Sequence, residues 1–573
     1  MTESYVAALD QGTTSTRCML FGRDGRMVAL SQQAHRRFFP RPGWVEHDAM
    51  EIWETVRRVL PQALSDAGVQ PAQVVGLGIT NQRETVVVWD RRTGRPVHNA
   101  IVWQDSRTDE LLPTIAEEIS DEQIHDLSGL RLASYFSGPK LRWLLEHDDS
   151  IRSRAEAGEL LVGTMDSWLV WNLTGGVHGG LHVTDATNAS RTMLMNIETL
   201  AWDARLTAAM RVPRAALPEI RPSIGLVGHT VDPIGGIPIT AIMGDQQASL
   251  FGQAGFDPGA AKCTFGTGGF LLLNTGTEPL RSRHGLVTTV AQTTAGEPPV
   301  YALEGSIAVA GALVQWCHDN LGLIRSPAEI ETLARTVDDA GGCIVVPAFT
   351  GMYSPHWVSG TRGLMVGVSS YVTKAHICRA VLDATAWQIR EIVDAMNADA
   401  EVPLTHLAVD GGMTADNLLM QIIADVLAVP VVRPMVAETV SLGAAYAAGL
   451  GAGFWPDHSM FRRNWHRAAE WHPMMSDSAR EAGMADWRRA VRLAIAWGNR
   501  RTTDVRHGRG RRTVVTPSGT RHRPACPRTC RRATRIRSCR RRCCGPFRAT
   551  PGSGRGRPAR TRCAGTPWSR RAG

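Results

Sequence analysis

Two short polar turns carry residues whose types and spacing suit phosphate chemistry. In the first turn, Asp10 precedes GTTS (12–15) and Arg17 follows, while the second turn is GTGG (266–269). A carboxylate beside hydroxyl groups and turn amides suits a divalent cation and phosphate oxygens, because Mg²⁺ prefers such oxygen ligands and successive amides form an anion-binding nest. Each turn alone is explained equally well by an ordinary hairpin. A polar turn of this kind in each half favours a nucleotide bound between two lobes.

Two common nucleotide-binding motifs are absent from the sequence. The chain has no Gly-x-x-x-x-Gly-Lys-Ser/Thr loop and no Gly-x-Gly-x-x-Gly opening a helix. The phosphate loop of Walker type and the dinucleotide-binding fingerprint are therefore both excluded.

Alternating strands and helices must position these turns. Apolar runs at 5–9 and 18–21 flank the first turn, runs at 260–265 and 270–273 flank the second, and both pairs predict hairpins. Further strands are expected at 74–80, 85–89 and 407–410, and helices at 375–398, at 417–428 and from about 441. This alternation predicts an α/β protein, with a domain boundary near residue 250.

A further helix is predicted to begin after Asp48. Asp48 is the expected N-cap and Glu51 its capping-box partner. The apolar positions that follow repeat with helical spacing and predict one buried stripe: Ile52, Trp53, Val56, Val59 and Leu60.

Composition divides the chain into a long body and a short tail. Of 573 residues, 43% are hydrophobic and 20% charged, which is typical of globular proteins. The net charge of +9 arises in residues 501–573, where 22 arginines and one acidic residue contribute +21, so the body carries −12. This balance argues against nucleic-acid or anionic-membrane binding by the body. The cysteines before residue 501 are single and scattered, the N-terminus does not resemble a leader, and no apolar run reaches about 18 residues. These features predict a cytoplasmic protein without membrane insertion.

The body resembles the FGGY family of carbohydrate kinases over approximately residues 4–498, and in particular its members that phosphorylate glycerol. The matching segments follow in order: ALDQGTTSTR (8–17), PGWVEHD (42–48), GITNQRET (78–85), NAIVWQDSRT (99–108), YFSGPK (135–140), TDATNASRTM (184–193), GDQQASLFGQ (244–253), TFGTGGF (264–270), ALEGSIAVAGALVQW (302–316), VVPAFTG (345–351) and VDGGMTADNLLMQ (409–421). The resemblance implies an α/β protein with two actin-like or hexokinase-like (ribonuclease H-like) ATPase domains around a central cleft. It assigns 1–250 to the glycerol site and catalytic base, and 251–500 to the nucleotide site.

A small triol needs a few directional hydrogen bonds and an apolar wall. By the resemblance, these come from seven side chains: Arg83, Glu84, Trp103, Tyr135, Asp245, Gln246 and Phe270. Without the matching context, an alternative interpretation is open for each of these residues. Arg83 and Glu84 would then be an ordinary surface ion pair, and the aromatic residues would belong to the core. Asp245 is the implied general base. Because an aspartate with a pKa near ~3.9 cannot ionise an alcohol in the ground state, it would orient the hydroxyl and accept the proton late.

The resemblance also implies ATP and Mg²⁺ as cofactors. Asp10 would hold the metal, and nine residues would contact the nucleotide: Thr13, Thr14, Ser15, Arg17, Thr267, Gly311, Gln315, Gly412 and Asp416. A side chain at Gly311 or Gly412 would obstruct the nucleotide. Many relatives carry Asn near the adenine where this chain has Asp416. A carboxylate can accept hydrogen bonds but cannot donate them.

Two other segments depart from the family pattern. Relatives inhibited by fructose 1,6-bisphosphate carry a glycine-rich loop with a basic residue, whereas the corresponding segment TVDPIGG (230–236) has no Lys or Arg. The preceding His229 is interpreted as a surface histidine.

Residues 501–573, rich in Arg and Cys, are predicted to be a disordered tail that is read out of phase or past the usual stop. We expect this tail to be dispensable for catalysis. A genuine disordered tail and a nucleic-acid-binding arm are the alternatives.

The implied activity is ATP-dependent phosphorylation of glycerol to sn-glycerol 3-phosphate, in glycerol uptake and catabolism. Two alternatives stay open at this point: a kinase for another polyol or ketose such as xylulose, and a nucleotide-dependent sensor without turnover. The family also suggests a homodimer or homotetramer.

Overall fold

The structure, a computed structural model, describes residues 3–400 and 403–507, which lie in one compact unit. The strands are β1 Tyr5–Gln11, β2 Ser15–Phe21, β3 Met27–Ala34, β4 Glu46–His47, β5 Val74–Asn81, β6 Val86–Asp90, β7 Ala100–Ile101, β8 Leu160–Thr164, β9 Val183–Asp185, β10 Met195–Asn196, β11 Ala201–Trp202, β12 Glu219–Arg221, β13 Ile224–His229, β14 Pro238–Gly244, β15 Ala261–Phe265, β16 Gly269–Gly276, β17 Val287–Gln292, β18 Val300–Ile307, β19 Ile344–Val346, β20 Leu364–Val366, β21 Leu407–Asp410, β22 Val431–Pro434 and β23 Arg467–Trp471.

The α-helices are α1 Ala49–Ala67, α2 Leu112–Glu118, α3 Asp121–Ser128, α4 Ser137–His147, α5 Asp149–Glu156, α6 Met165–Leu173, α7 Ala186–Ala189, α8 Ala204–Ala209, α9 Asp245–Gly252, α10 Gly311–Asp319, α11 Glu329–Ala334, α12 Lys374–Asp399, α13 Asn417–Leu427, α14 Thr439–Gly451, α15 Ser459–Asn464 and α16 Asp477–His507. In this part of the chain, no helix is both long and apolar enough to cross a membrane.

Two large sheets organise the unit. The first has the order β13-β14-β5-β1-β2-β3, and the second has the order β17-β18-β16-β15-β21-β22-β23. In the first sheet β1, β5 and β14 are parallel, and in the second β15, β21 and β22 are parallel. Because parallel strands end at the same edge of a sheet, the segments that follow β1, β5 and β14 come together, as do those that follow β15 and β21.

Helix α14 comes late in the chain but packs on the first sheet and on α9. The close approach depends on glycine, because a Cβ on Gly78 would lie 2.1 Å from the Ala444 carbonyl oxygen and one on Gly443 would lie 1.8 Å from that of Ala248. This packing brings Ser441 of α14 to the end of β1, where its hydroxyl donates to Asp10.

The predicted strands and helices are present, with ends that differ by at most three residues. Asp48 caps α1, accepting from the amides of Met50 and Glu51. The capping-box role expected for Glu51 is wrong, because its carboxylate instead accepts from the backbone and guanidinium of Arg36. Trp53 is only partly buried, whereas the other four residues of the predicted stripe are buried.

The final helix extends into the predicted tail. Helix α16 ends at His507, so residues 501–507 are helical rather than irregular. The remainder of the predicted tail, 508–573, lies outside the described residues.

His47 should make the fold sensitive to acid. It is fully buried against His35, and burial together with that neighbour lowers its pKa from 6.5 to about 4. Between these values the unfolded chain binds a proton that the folded state excludes, so stability is present above pH 6.5 and falls as the pH drops towards 4, by about 2 kcal/mol at pH 5. We predict that His47→Gln flattens the fall in Tm between pH 7.5 and pH 5.

His229, which is exposed, provides the matched control. His229→Gln should retain the acid sensitivity of the unaltered protein. An equally steep fall in Tm for His47→Gln and the unaltered protein would contradict the assignment.

Candidate active site

Two cavities meet at the turn between β15 and β16. The smaller has a volume of about 150 Å³ and is lined by Thr13, Arg83, Glu84, Trp103, Tyr135, Asp245, Gln246, Thr264, Gly266, Thr267, Gly268 and Phe270. The larger has a volume of about 930 Å³ and includes Gly266, Thr267, Gly311, Gln315, Gly412 and Asp416 in its lining. All seven side chains assigned to the acceptor by resemblance line the smaller cavity. Because both cavities contain Gly266 and Thr267, molecules bound in them would be neighbours.

A buried network of four charged side chains includes two residues that line the small cavity, Arg83 and Glu84. Arg83 donates to both oxygens of Glu304 at 2.6 and 2.7 Å. Arg191 donates to the same carboxylate at 3.1 Å and to Glu84 at 2.7 Å. Two cations and two anions thus balance away from water, which is the condition under which buried ions are tolerated. Although burial alone would raise the pKa of Glu304, Arg191 and Arg83 lower it to about 2, so it stays ionised.

Glu84 reaches this network through an unusual backbone conformation. Its φ is 61°, in the left-handed region that non-glycine residues seldom adopt. The tight turn after β5 is closed by the amide of Thr85, which donates to the Arg83 carbonyl at 2.7 Å. Arg83 and Glu84 are each 2% exposed, so the surface ion pair considered for them is wrong.

Sequence reasoning missed Glu304 and Arg191. Both lie inside segments quoted for the family resemblance, but neither was singled out. Glu304 is the one charged residue of β18, VYALEGSI, whose residues are otherwise apolar or small and polar. A lone carboxylate in such a strand is a signal that a buried cation must lie opposite.

Aromatic rings form another wall. Trp103 packs edge-on against Tyr135 and Phe270, with ring centroids 5.9 and 5.6 Å apart. Its indole N–H donates to the Thr13 hydroxyl at 3.0 Å, so the ring is fixed to the first polar turn. The aromatic wall is therefore linked to the turn that is predicted to face the phosphates.

Lys140 fixes the backbone that carries Tyr135. Its buried ammonium donates to the carbonyl oxygens of Ser134, Tyr135 and Phe136 at 2.5, 2.6 and 3.1 Å. Burial lowers its pKa to about 8. These three bonds close the loop that precedes α4 and hold Tyr135 at the cavity.

Asp245 is the first residue of α9, directly after β14. Its side chain is 26% exposed, and one oxygen lies 3.3 Å from Nε of Arg83. Burial raises the pKa of this carboxyl, while Arg83 and Lys262 act in the opposite direction. The geometry suits a proton acceptor at the helix N-terminus, open to the cavity and oriented by an arginine.

The first polar turn surrounds Asp10. Oδ2 of Asp10 accepts from Ser441 at 2.9 Å and lies 3.6 Å from Nε of Arg17, whose guanidinium also contacts Glu438. Ser15 accepts from Gln32 at 2.8 Å, and the Thr14 carbonyl accepts from the His35 amide. The smaller cavity includes Thr13 in its lining, but not Asp10, Thr14, Ser15 or Arg17.

The larger cavity is lined by five of the nine residues predicted to contact the nucleotide: Thr267, Gly311, Gln315, Gly412 and Asp416. The other four, Thr13, Thr14, Ser15 and Arg17, are not part of its lining. A Cβ on Gly311 would lie 2.5 Å from the Gly266 carbonyl oxygen, so the neighbouring turn itself requires glycine there. A Cβ on Gly412 would meet open space. Gln315 donates to Asp319 at 2.6 Å. Asp416 caps α13 by accepting from Leu419, and burial raises its pKa to about 6.

The donor set at Asp10 is compatible with Mg²⁺. Burial raises the pKa of the Asp10 carboxyl, with Arg17 opposing the shift, so a further cation would stabilise the ionised form. Among residues 3–400 and 403–507, no group of three or more His, Cys, Asp or Glu is arranged to hold a metal. One carboxylate completed by phosphate and water is the usual protein environment of Mg²⁺.

Family models match both halves of the chain. The N-terminal domain of the FGGY family of carbohydrate kinases matches residues 5–252 and the C-terminal domain matches residues 261–452. A glycerol kinase 2 of Streptomyces avermitilis is 56% identical over 86% of this chain and 98% of its own length. A glycerol kinase of Saccharopolyspora erythraea is 56% identical over 86% and 99%, respectively.

Solved structures of carbohydrate kinases are also similar to this chain. Plasmodium falciparum glycerol kinase with ADP has 36% identity and a TM-score of 0.78, over 86% of this chain and 98% of that one. A Lactobacillus acidophilus xylulose kinase, at 19% identity and a TM-score of 0.75 over 87% and 98%, shares the fold. The predicted two-domain actin-like ATPase fold is confirmed, and the chain belongs to the FGGY family of carbohydrate kinases.

Proposed function

We propose that the chain catalyses ATP-dependent phosphorylation of glycerol, giving sn-glycerol 3-phosphate. The observation that carries the proposal is the junction of the two cavities at Gly266 and Thr267, with all seven acceptor-site side chains around the smaller one. Identities of 56% to proteins named glycerol kinase support the same acceptor. The cavity of about 150 Å³ suits a molecule of few atoms better than a large sugar derivative.

Hydroxyl groups both donate and accept, and the cavity offers partners of both kinds. Arg83 donates, Glu84 accepts, and Gln246 carries an amide. The rings of Trp103 and Phe270 cover the carbon atoms, and the Tyr135 hydroxyl adds one more polar group. Because Arg83 and Glu84 are already held by charged partners, they are positioned before the substrate arrives, which reduces the entropy cost of binding.

Asp245 is the proposed general base. The glycerol hydroxyl forms a new bond to the γ-phosphorus, the bond from that phosphorus to the β,γ-bridging oxygen breaks, and the hydroxyl proton passes to Asp245. Burial raises the pKa of this carboxyl, which makes it a better acceptor for the proton as attack on the phosphorus develops. Most of the rate then comes from in-line positioning and from stabilising charge on the transferring phosphoryl group.

The larger cavity is the proposed ATP site. Its lining includes Thr267, Gly311, Gln315, Gly412 and Asp416. The turn that contains Thr13, Thr14, Ser15 and Arg17 would face the phosphates. Asp10 would hold Mg²⁺, which when bound neutralises charge on the phosphate oxygens. The Arg17 guanidinium would have to exchange its contact with Glu438 for a phosphate.

The assignment of the two sites to halves of the chain, the location and the assembly rest on the family resemblance. We assign the glycerol site and base to 1–250 and the nucleotide site to 251–500. A cytoplasmic location and assembly as a homodimer or homotetramer stay predictions.

The two alternative functions would give different results in an assay of ADP release. A kinase for another polyol or ketose would share the fold and the larger cavity, whereas a sensor would bind nucleotide without turnover. Purified protein with Mg·ATP should release ADP strongly with glycerol and weakly with xylulose, ribulose, erythritol or no acceptor. Preference for another acceptor would contradict the assignment of the small cavity. Nucleotide binding without acceptor-dependent ADP release would indicate the sensor.

Removing the base should separate binding from turnover. We predict that Asp245→Asn lowers kcat by about 10²–10⁴-fold, because no group accepts the proton, while Kd for ATP changes less than about twofold. Single-turnover kinetics and nucleotide titration measure the two effects. Asp232→Asn, at an exposed position, should match the unaltered enzyme. Near-normal turnover of Asp245→Asn would show that another group takes the proton.

The charged network should control affinity for glycerol. In Glu304→Gln, the four-residue network would keep two arginines but only the carboxylate of Glu84, and Arg83 would lose its bidentate partner. We predict a rise of about tenfold or more in KM for glycerol, with a lower Tm, and partial rescue by Glu304→Asp. The exposed Glu297→Gln should change neither. An unaltered KM in folded Glu304→Gln protein would be incompatible with this role.

A further inference from the structure

Lys262 is a buried lysine beside the small cavity, although it does not line it. It lies on β15 with 0% exposure. Its ammonium donates to Oε1 of Gln246 at 2.5 Å and to the Thr264 hydroxyl at 2.8 Å. Both partners line the cavity. The lysine therefore contacts the cavity wall from behind.

Lysine is rare in this sequence, which makes its position informative. The chain has lysine at only three positions, whereas lysine and arginine together number 63. Two of the three, Lys140 and Lys262, are fully buried, and each donates to a residue that lines the same cavity, Tyr135 and Gln246 respectively. The third, Lys374, is exposed. An ammonium is a compact point donor on a flexible stem, and the broad fork of arginine cannot reproduce it.

The contact with Lys262 determines which way the Gln246 amide faces. A glutamine side chain has one accepting oxygen and one donating nitrogen, whereas an ammonium can only donate. The amide oxygen must therefore face Lys262. Among the described residues, Nε2 of Gln246 has no hydrogen bond, so the donor end is free for a molecule in the cavity.

We propose that Lys262 is a positioning residue that holds Gln246 as a hydrogen-bond donor in the acceptor site and thereby contributes to selection of glycerol. The proposal rests on the function proposed above. Asp245 and Glu84, when ionised, can only accept, so a hydroxyl that donates to either still has lone pairs to satisfy. A fixed donor meets this need, and an acceptor molecule without that hydroxyl leaves the amide unpartnered.

The surroundings of Lys262 extend towards the nucleotide side. Thr264 lies 3.3 Å from the Ser249 hydroxyl, which donates to Asp410 at 2.8 Å. Asp410 also accepts from Gln253 at 3.0 Å and ends β21, directly before Gly411 and Gly412. Burial lowers the pKa of Lys262, but Asp410 and Asp245 oppose this and favour the charged donor.

Kinetics of Lys262→Met test the proposal, because methionine keeps the length of the side chain and removes the donor. We expect KM for glycerol to rise about tenfold and KM for ATP to change less than twofold. The preference for glycerol over 1,2-propanediol and 1,3-propanediol should also shrink, since the free amide can turn. Lys374→Met is the matched control and should behave as the unaltered enzyme.

A double-mutant cycle with Gln246→Leu separates positioning from a general structural effect. If Lys262 acts through Gln246, the double variant should be no worse than Gln246→Leu alone. Additive losses, or an unchanged KM and acceptor preference in Lys262→Met, would overturn the proposal while leaving the proposed function intact. Absence of glycerol-dependent ADP release by the unaltered enzyme would overturn both.

A second variant covers the case in which Lys262→Met does not fold. Gln246→Glu keeps a partner for Lys262 but replaces the donor end of the amide with an oxygen. We expect KM for glycerol to rise about tenfold or more. An unchanged KM in this variant would also overturn the proposal.

Discussion

Four buried charged side chains neutralise one another beside the acceptor cavity, and their mutual contacts hold the polar groups of that cavity in place. Arg83 and Glu84 follow a strand of the first sheet, whereas their partner Glu304 belongs to the second sheet, and Arg191 joins the two carboxylates. Removing one member of such a network leaves an uncompensated buried charge, at a cost of about 3–5 kcal/mol. The network therefore connects the two halves of the chain and holds the polar groups of the cavity before any substrate binds.

The surrounding contacts extend this preorganisation in two directions. The indole of Trp103 connects the acceptor cavity to the first polar turn through Thr13. Lys262 and Thr264 connect it to Asp410, at the start of the glycine turn on the nucleotide side. Residues that line the acceptor cavity are thus connected by hydrogen bonds to the first polar turn and to the strand end that precedes the glycine turn. Such short connections favour the precise alignment that phosphoryl transfer requires.

The strands, the main helices and the family were predictable because their signals are local. Asp48 at the start of α1 and the strand that ends at Asp410 need only neighbouring residues to be recognised. Glu304 and Lys262 were missed because their roles arise from partners distant in sequence, such as Arg83, 221 residues from Glu304. Glu51 shows the same limitation, since Arg36 on the preceding segment competes for its carboxylate. Local pattern predicts elements, whereas tertiary packing decides where a buried charge finds its partner.

The most direct test of the central claim is a crystal structure of the protein with glycerol and ADP. We expect one glycerol molecule within hydrogen-bonding distance of Arg83, Glu84 and Asp245, with its carbon atoms against Trp103 and Phe270 and the Arg83–Glu304 pair intact. ADP should occupy the larger cavity, on the other side of Gly266 and Thr267. Glycerol bound elsewhere, or a cavity in which Arg83 leaves Glu304 to bind the ligand, would show that the acceptor cavity is wrongly assigned.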